Sequence, residues 1–337
     1  MLALLSPFGF LSPYAQGVFV SGGIFAIATI GLYVTITSGQ VSVMHQALVG
    51  VGGYAAGVAS VQLGLPLVAS LLFGLVAGAL VGGVVALLLR EMNGMVLGVA
   101  TIAIGQALSL IAANIPQLGG SLGYTGVSLQ TTLTWVVGIL IIVMAGLSWL
   151  RHTHFGLALL AVGKEPAVAE ALGMSATFVR VWAFGVGGAL AGISGGLQAH
   201  WLSLVEPTSL GFAYEALLFM YLIIGGVGSP WGALLGAVGV TWLLEALRFT
   251  GSARYWILGL VLVVVIILRP QGLIARRSLR AEGEDHSHPV SSGTDRGPLG
   301  SAIAHIRGAH FAHQSDELVP AGQPRPETTL HAVPKGN

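Results

Sequence analysis

The sequence of 337 residues is 54% hydrophobic and only 8% charged, with a mean hydropathy of +0.85, whereas soluble domains are about 25% charged. So few charges cannot cover a water-facing surface, and most of the outside of this protein must face lipid. The net charge of +1 gives no case for nucleic acid, and zero cysteines exclude a disulfide, a thiolate metal site and a cysteine nucleophile.

A membrane helix needs roughly 20 predominantly apolar residues. With Gly, Pro and polar clusters and the rare charges as breaks, nine spans are expected. They fall at about 15–37, 43–62, 66–89, 94–114, 132–150, 181–203, 212–228, 231–247 and 254–268. The 50 glycines suit helices that pack closely through small side chains in lipid. The first positive charge is Arg90, so the N-terminus lacks the basic region of a secretory signal peptide, and the first helix is expected to be retained. The span at 212–228 is short and closed by the glycines at 225–228, so it reads as a full span or as a half-helix.

Polar side chains inside a span are costly and point to a pathway or a packing bond. Gln40, Ser42 and His45 open the second span. They read either as a lining or gating cluster, or as a helix start with Ser42 as N-cap and His45 in the first turn. Gln106 and Asn114 lie two turns apart on one helix and share a face, for interhelical hydrogen bonding or for solute contact. Glu206 precedes Pro207 in a connection that an external binding protein could touch. Glu215 opens its span, either paired with an arginine or at the water interface. Glu245 and Arg248, three apart, suit an ion pair on a helix surface.

The segment 151–180, "RHTHFGLALLAVGKEPAVAEALGMSATFVR", sets a polar piece between two apolar runs. Pro166 suits a first helical position, where its missing N–H costs nothing. Gly173 suits the left-handed position past a helix end, and Ser175 the N-cap of the next helix. A two-turn helix over 166–172 is expected, with Val168, Ala171 and Leu172 on one side. Such a helix is marginal alone, so that side needs a partner: the membrane surface or a cytoplasmic protein.

Past residue 280 the chain turns rich in Gly, Pro, Ser, His and acids without apolar periodicity, and is expected to be a disordered tail. Its histidines, His286, His288, His305, His310, His313 and His331, are irregularly spaced, so they read as part of a solvated low-complexity tail rather than a metal site. With residues 151–180 in the cytoplasm, Arg90, Arg151, Lys164, Arg180, Arg269, Arg276, Arg277 and Arg280 fall inside, and only Arg248 and Arg254 outside. The positive-inside rule then places the N-terminus outside and the C-terminus in the cytoplasm. No G-x-x-x-x-G-K-[ST] phosphate loop is present, so ATP hydrolysis is not expected here.

Several stretches, in order, resemble the LivM branch of the branched-chain amino-acid permeases. Glu170-Ala171-Leu172-Gly173 is similar to the EAA…G segment of ABC importer permeases. "TSGQVSVMHQALVGVGGYAA" (37–56), "ATIAIGQALSLIAAN" (100–114) with "LGGSLGYTGV" (118–127), "GVGGALAGISGGLQAHWLSLVEPTSLGF" (185–212), "LIIGGVGSPWGALLGA" (222–237) and "ILRPQGLI" (267–274) resemble further family segments. The resemblance covers about residues 20–275. Met44 and Gln46 depart from it, each standing where the family usually keeps a small side chain.

The resemblance implies an all-α polytopic membrane protein of about 8–9 transmembrane helices with the ABC importer permease fold. Residues 1–275 would form the permease domain, with a coupling loop at 151–180, and 276–337 a cytoplasmic tail. The implied function is the inner-membrane permease subunit of an importer for branched-chain or related amino acids. Its implied partners are a LivH-type second permease, two ATPase subunits that bind ATP and Mg, an external substrate-binding protein and membrane lipid. No catalytic residue, metal or cofactor is expected in this chain. Glu165, Glu170, Ala171, Leu172 and Gly173 would couple to the ATPase, and Gln40, Ser42, His45, Gln106 and Asn114 are candidates for the translocation path. The alternative is a stand-alone secondary transporter or channel for a small solute, which would want inverted repeats around buried charges.

Overall fold

The computed structural model describes residues 11–92, 94–269 and 272. The expected tail at 276–337 and its histidines lie outside the described residues.

Every expected span finds a helix. These are α1 (Pro13–Thr37), α2 (His45–Gln62), α3 (Leu67–Leu88), α4 (Gly94–Asn114), α5 (Leu133–Arg151), α8 (Ala176–Leu202), α9 (Phe212–Gly225), α10 (Pro230–Ala246) and α11 (Ala253–Leu268). Two short helices, α6 (His154–Lys164) and α7 (Pro166–Ala171), stand between α5 and α8. Helices α1, α3, α4, α5 and α8 are each long and apolar enough to cross a membrane alone. Helix α8 starts five residues before the expected span because Ser175 caps it, its hydroxyl accepting from the Phe178 N–H.

Helix α9 has 14 residues, too few to cross by itself. It turns through 117° into α10 at the break around Gly226, so the half-helix reading of 212–228 fits. Helix α2 carries His45, Gln46 and Ser60, all buried. It is enclosed by its neighbours, so these polar groups avoid lipid.

The core is built on α8, which runs against α1, α2 and α3. Lipid gives helices little hydrophobic reason to associate, and close backbone packing supplies the attraction instead. A Cβ at Gly192 of α8 would run into the Gly74 carbonyl of α3, and one at Gly78 into the Gly188 carbonyl. Hydrogen bonds add to this. Ser194 donates across to the Ile24 carbonyl at 2.8 Å, and Thr131 to the Leu197 carbonyl at 2.9 Å. Large apolar side chains line the outside of α3, α4, α5 and α11, among them Leu80, Leu110, Ile142 and Ile267.

The described residues hold one small sheet, in which β1 (Tyr124–Thr125) pairs antiparallel with β2 (Leu204–Val205), Tyr124 facing Val205. It ties the connection before α5 to the end of α8. Tyr14, at the start of α1, donates a hydrogen bond to Glu245, which also pairs with Arg248 at 3.2 Å. The start of α1 and the end of α10 therefore share one end of the bundle.

Candidate functional site

The polar middle segment folds as its punctuation predicts, with one addition. Pro166 opens α7, and the helix closes on Leu172. Gly173 takes a φ of +83°. Its N–H bonds the Glu170 carbonyl at 2.9 Å, and the Met174 N–H bonds the Ala169 carbonyl at 3.0 Å. This pair of bonds is the Schellman closure, which wants glycine at its left-handed position. Glu165, Glu170, Ala171 and Gly173 are exposed. The expected apolar side is uncovered: Val168 is 57% exposed and Leu172 73%, and only Ala169 is buried. The bundle gives that side no partner because Ala169 alone turns toward it.

The addition is α6. Its N-cap is Thr153, whose hydroxyl accepts from the Gly156 N–H and donates to the Leu150 carbonyl. The signal was present in the sequence, a threonine ahead of apolar residues at 155, 159 and 162, but it merges with the end of α5. Phe155 anchors α6 on α8, its ring 4.1 Å from that of Trp182 and 6.3 Å from that of Phe178. The other end of α6 rests on the α1–α2 connection, backbone on backbone. A Cβ at Gly39, whose φ is +81°, would come within 3.0 Å of the Gly163 carbonyl oxygen.

That connection carries Gln40, Ser42 and His45, and all three are buried. Ser42 is not the N-cap of α2. The helix starts at His45, Met44 stands at the cap, and no side chain at the cap position closes it. The closure comes from 169 residues away: the Glu215 carboxylate of α9 accepts from the Gln46 N–H. Glu215 is buried and has no ion pair among the described residues, so neither sequence expectation for it holds. A carboxylate at a helix start satisfies an orphan donor and suits the positive end of the helix dipole. On the α4 side, the Val43 N–H donates to the Thr101 hydroxyl at 3.0 Å. The connection is thus held by α6, α4 and α9 together.

The His45 ring lies between α1 and α8, where a Cβ at Gly31 would come within 2.7 Å of Nε2. Among the described residues, neither of its ring nitrogens nor the Gln40 Oε1 has a partner within hydrogen-bond geometry. Buried polar atoms left so are uncommon. Met44 is buried against Gly105 of α4, which gives room to one of the two departures from the small-residue pattern.

Gln106 and Asn114 are not brought to this cluster. Both lie on the exposed face of α4, and Asn114 donates back to the Leu110 carbonyl at 2.8 Å. A further feature went unseen in the sequence, a cavity of about 250 Å³ between α2, α8 and the α8–α9 connection, lined in part by Gln198, Glu206, Ser209 and Tyr214. Its parts come from three separate stretches, so no local pattern announces it. Among the described residues no cluster of three or more His, Asp or Glu is placed to hold a metal ion.

The profile of the family described as branched-chain amino acid transport system / permease component matches residues 14–268, which hold α2, the middle segment and the α9–α10 turn. The chain belongs to this family. The permease is 30% identical over 142 residues to the high-affinity branched-chain amino acid transport system permease protein LivM of Salmonella typhimurium, and 29% identical over 142 residues to that of Escherichia coli. Each alignment takes in 42% of the permease and 33% of the relative, so the match spans only a third of the length of these relatives. A longer alignment, 27% identical over 267 residues, covers 74% of the permease and 75% of the autoinducer 2 import system permease protein LsrC of Yersinia pseudotuberculosis. No solved structure matches the permease. It is a multi-pass membrane protein of the ABC importer permease class, and its relatives are transport permease components rather than enzymes.

Proposed function

We propose that this chain is an inner-membrane permease subunit of an importer for branched-chain or related amino acids, driven by ATPase subunits that dock on residues 151–180. The observation that carries the reading is α7. It is a capped two-turn helix that holds Val168 and Leu172 out to solvent beside Glu165 and Glu170. An apolar face of this kind on a marginal helix needs a partner against it, and we take that partner to be the ATPase rather than the membrane surface. ATP and Mg belong to those partners, and this chain supplies leverage by contact. Force on α7 reaches α6, then Gly39 through Gly163, then the buried connection at Gln40–His45.

The positive-inside count supports a cytoplasmic middle segment, an external N-terminus and a cytoplasmic C-terminus. Gln106 and Asn114 on the exposed face of α4 are costly in lipid, which favours coverage of that face by a LivH-type second permease. With such a partner the two residues line the path between the chains. An external binding protein supplies affinity and selectivity.

The test is Glu170→Lys and Gly173→Leu in the assembled importer. Uptake and solute-stimulated ATP hydrolysis are expected to fall while membrane insertion persists. Unchanged ATP-dependent uptake would remove the coupling assignment. One observation favours a second solute class. The LsrC relative aligns over more of this chain than LivM does, so autoinducer 2 belongs beside leucine in the uptake assay.

A further inference from the structure

A groove of about 460 Å³ runs between α5 and α10. On α5 its wall is Val137, Leu140, Ile141, Met144 and Ser148, one stripe at three- and four-residue steps. From Val137 to Ser148 the helix rises about 16 Å. That is close to half of the roughly 30 Å hydrocarbon core, the depth of one leaflet. Trp231 and Leu234, near the start of α10, form the other side. Ile141, Ala145 and Trp231 are exposed, so the groove opens outward to the lipid.

The stripe ends in a charge. Arg151 stands three positions beyond Ser148 on the same face and is the last residue of α5. It lines one recess together with Pro230, the first residue of α10 and the neighbour of Trp231. Its guanidinium donates to the Tyr33 hydroxyl at 3.4 Å, and among the described residues no carboxylate pairs with it. Arginine carries five N–H donors in a fork that matches a phosphate, so donors remain for a partner. The start of α10 adds the positive end of its dipole on the same side. Trp149 and Trp231 are exposed at this level, and exposed tryptophans gather where lipid headgroups meet the hydrocarbon.

A lone cation at one end of an apolar, leaflet-deep groove suits a molecule with a long aliphatic body and one anionic head. A zwitterionic lipid offers the same chains but cancels the charge of its own phosphate. We propose that the groove holds an anionic phospholipid of the cytoplasmic leaflet, with one acyl chain along α5 and its phosphate on Arg151. The choice of leaflet rests on the cytoplasmic placement of residues 151–180 given above; the groove and its charge do not. Only His152 and Thr153 separate Arg151 from α6, so the lipid is held at the root of the coupling segment.

The test reconstitutes the importer complex in phosphatidylcholine vesicles with a trace of a photoreactive lipid. The probe is phosphatidylglycerol or phosphatidylcholine with a diazirine in one acyl chain. After illumination, labelled peptides of this chain are quantified by mass spectrometry. The phosphatidylglycerol probe is expected to label residues 137–148 and 231–234 several times more than the phosphatidylcholine probe. Unlabelled phosphatidylglycerol should compete this excess away, and inorganic phosphate should not. Arg151→Met should lower the excess about fivefold, the worth of one basic side chain near an anionic lipid surface, and Arg151→Lys should retain most of it. Should Arg151→Met fail to assemble, the two probes and the competition on the unaltered complex still decide. Equal labelling by the two probes, an excess that survives Arg151→Met, competition by inorganic phosphate, or a groove that takes no label because a protein subunit covers it would overturn the proposal. ATP-driven uptake by the same vesicles reports separately on the importer reading. Its absence with every solute would sink that reading and leave the labelling result standing.

Discussion

Glu215 shows what one residue does in this bundle. Its carboxylate closes the start of α2 from across the structure, and the buried connection at Gln40–His45 takes its position from that bond. Removing an acceptor from a buried donor costs about 1–3 kcal/mol. Glu215→Ala should therefore lower the thermal midpoint of the detergent-purified protein clearly. Glu215→Gln, which keeps an oxygen acceptor, should lower it less. Equal midpoints for the two variants would mean that the bond does not hold α2. The sequence offered Glu215 as an arginine partner or an interfacial group, because a side chain that bonds a backbone N–H 169 positions away leaves no local pattern. His45 was legible as unusual, and so was Gln40, since polar residues stand out in an apolar span. That Ser42 would not be the cap was not legible, because Ser42, Met44 and Glu215 compete for that end and packing alone decides between them.

At the scale of elements, α7 was the most legible part of the protein. Pro166, Gly173 and Ser175 each act on neighbours within three or four residues, so sequence and structure meet there. Gly173→Ala forces a side chain into the left-handed region and should cost about 1 kcal/mol. Faster amide hydrogen exchange across α7, with the rest of the bundle unchanged, is the expected sign. Helix α6 was missed because only the two-residue break His152–Thr153 separates it from α5, and its anchor on Trp182 is tertiary. The contact of its end with the α1–α2 connection is the joint the coupling account depends on. A side chain at Gly163 would run into the Thr37 carbonyl. Gly163→Val should leave the complex assembled while solute moved per ATP hydrolysed falls severalfold. An unchanged transport ratio would show that force does not pass there.

Across the whole molecule, nine apolar runs were readable from composition and each became a helix, but among the described residues only five helices are long and apolar enough to cross a membrane alone, and α9 with α10 makes a sixth span if the bent pair counts as one. The sharp turn between α9 and α10 was half readable: the glycines marked a break, and only the fold gives its 117°. The cavity at Glu206 was beyond reading, since it exists only once α2, α8 and the α8–α9 connection meet. Gln106 and Asn114 gain sense at this scale as well. They share the exposed face of α4, and a thiol at Gln106→Cys should cross-link to a second permease chain rather than stay with lipid.

The coupling role of α7 stands or falls on what touches it. The most direct measurement places a single thiol there by Leu172→Cys, in the assembled importer, and treats it with a short bifunctional thiol cross-linker. The expected result is a covalent product between this chain and an ATPase subunit, formed at a rate that changes when ATP is added. Full accessibility of that thiol in the active complex, with no ATPase cross-link and undiminished ATP-driven uptake, would contradict it.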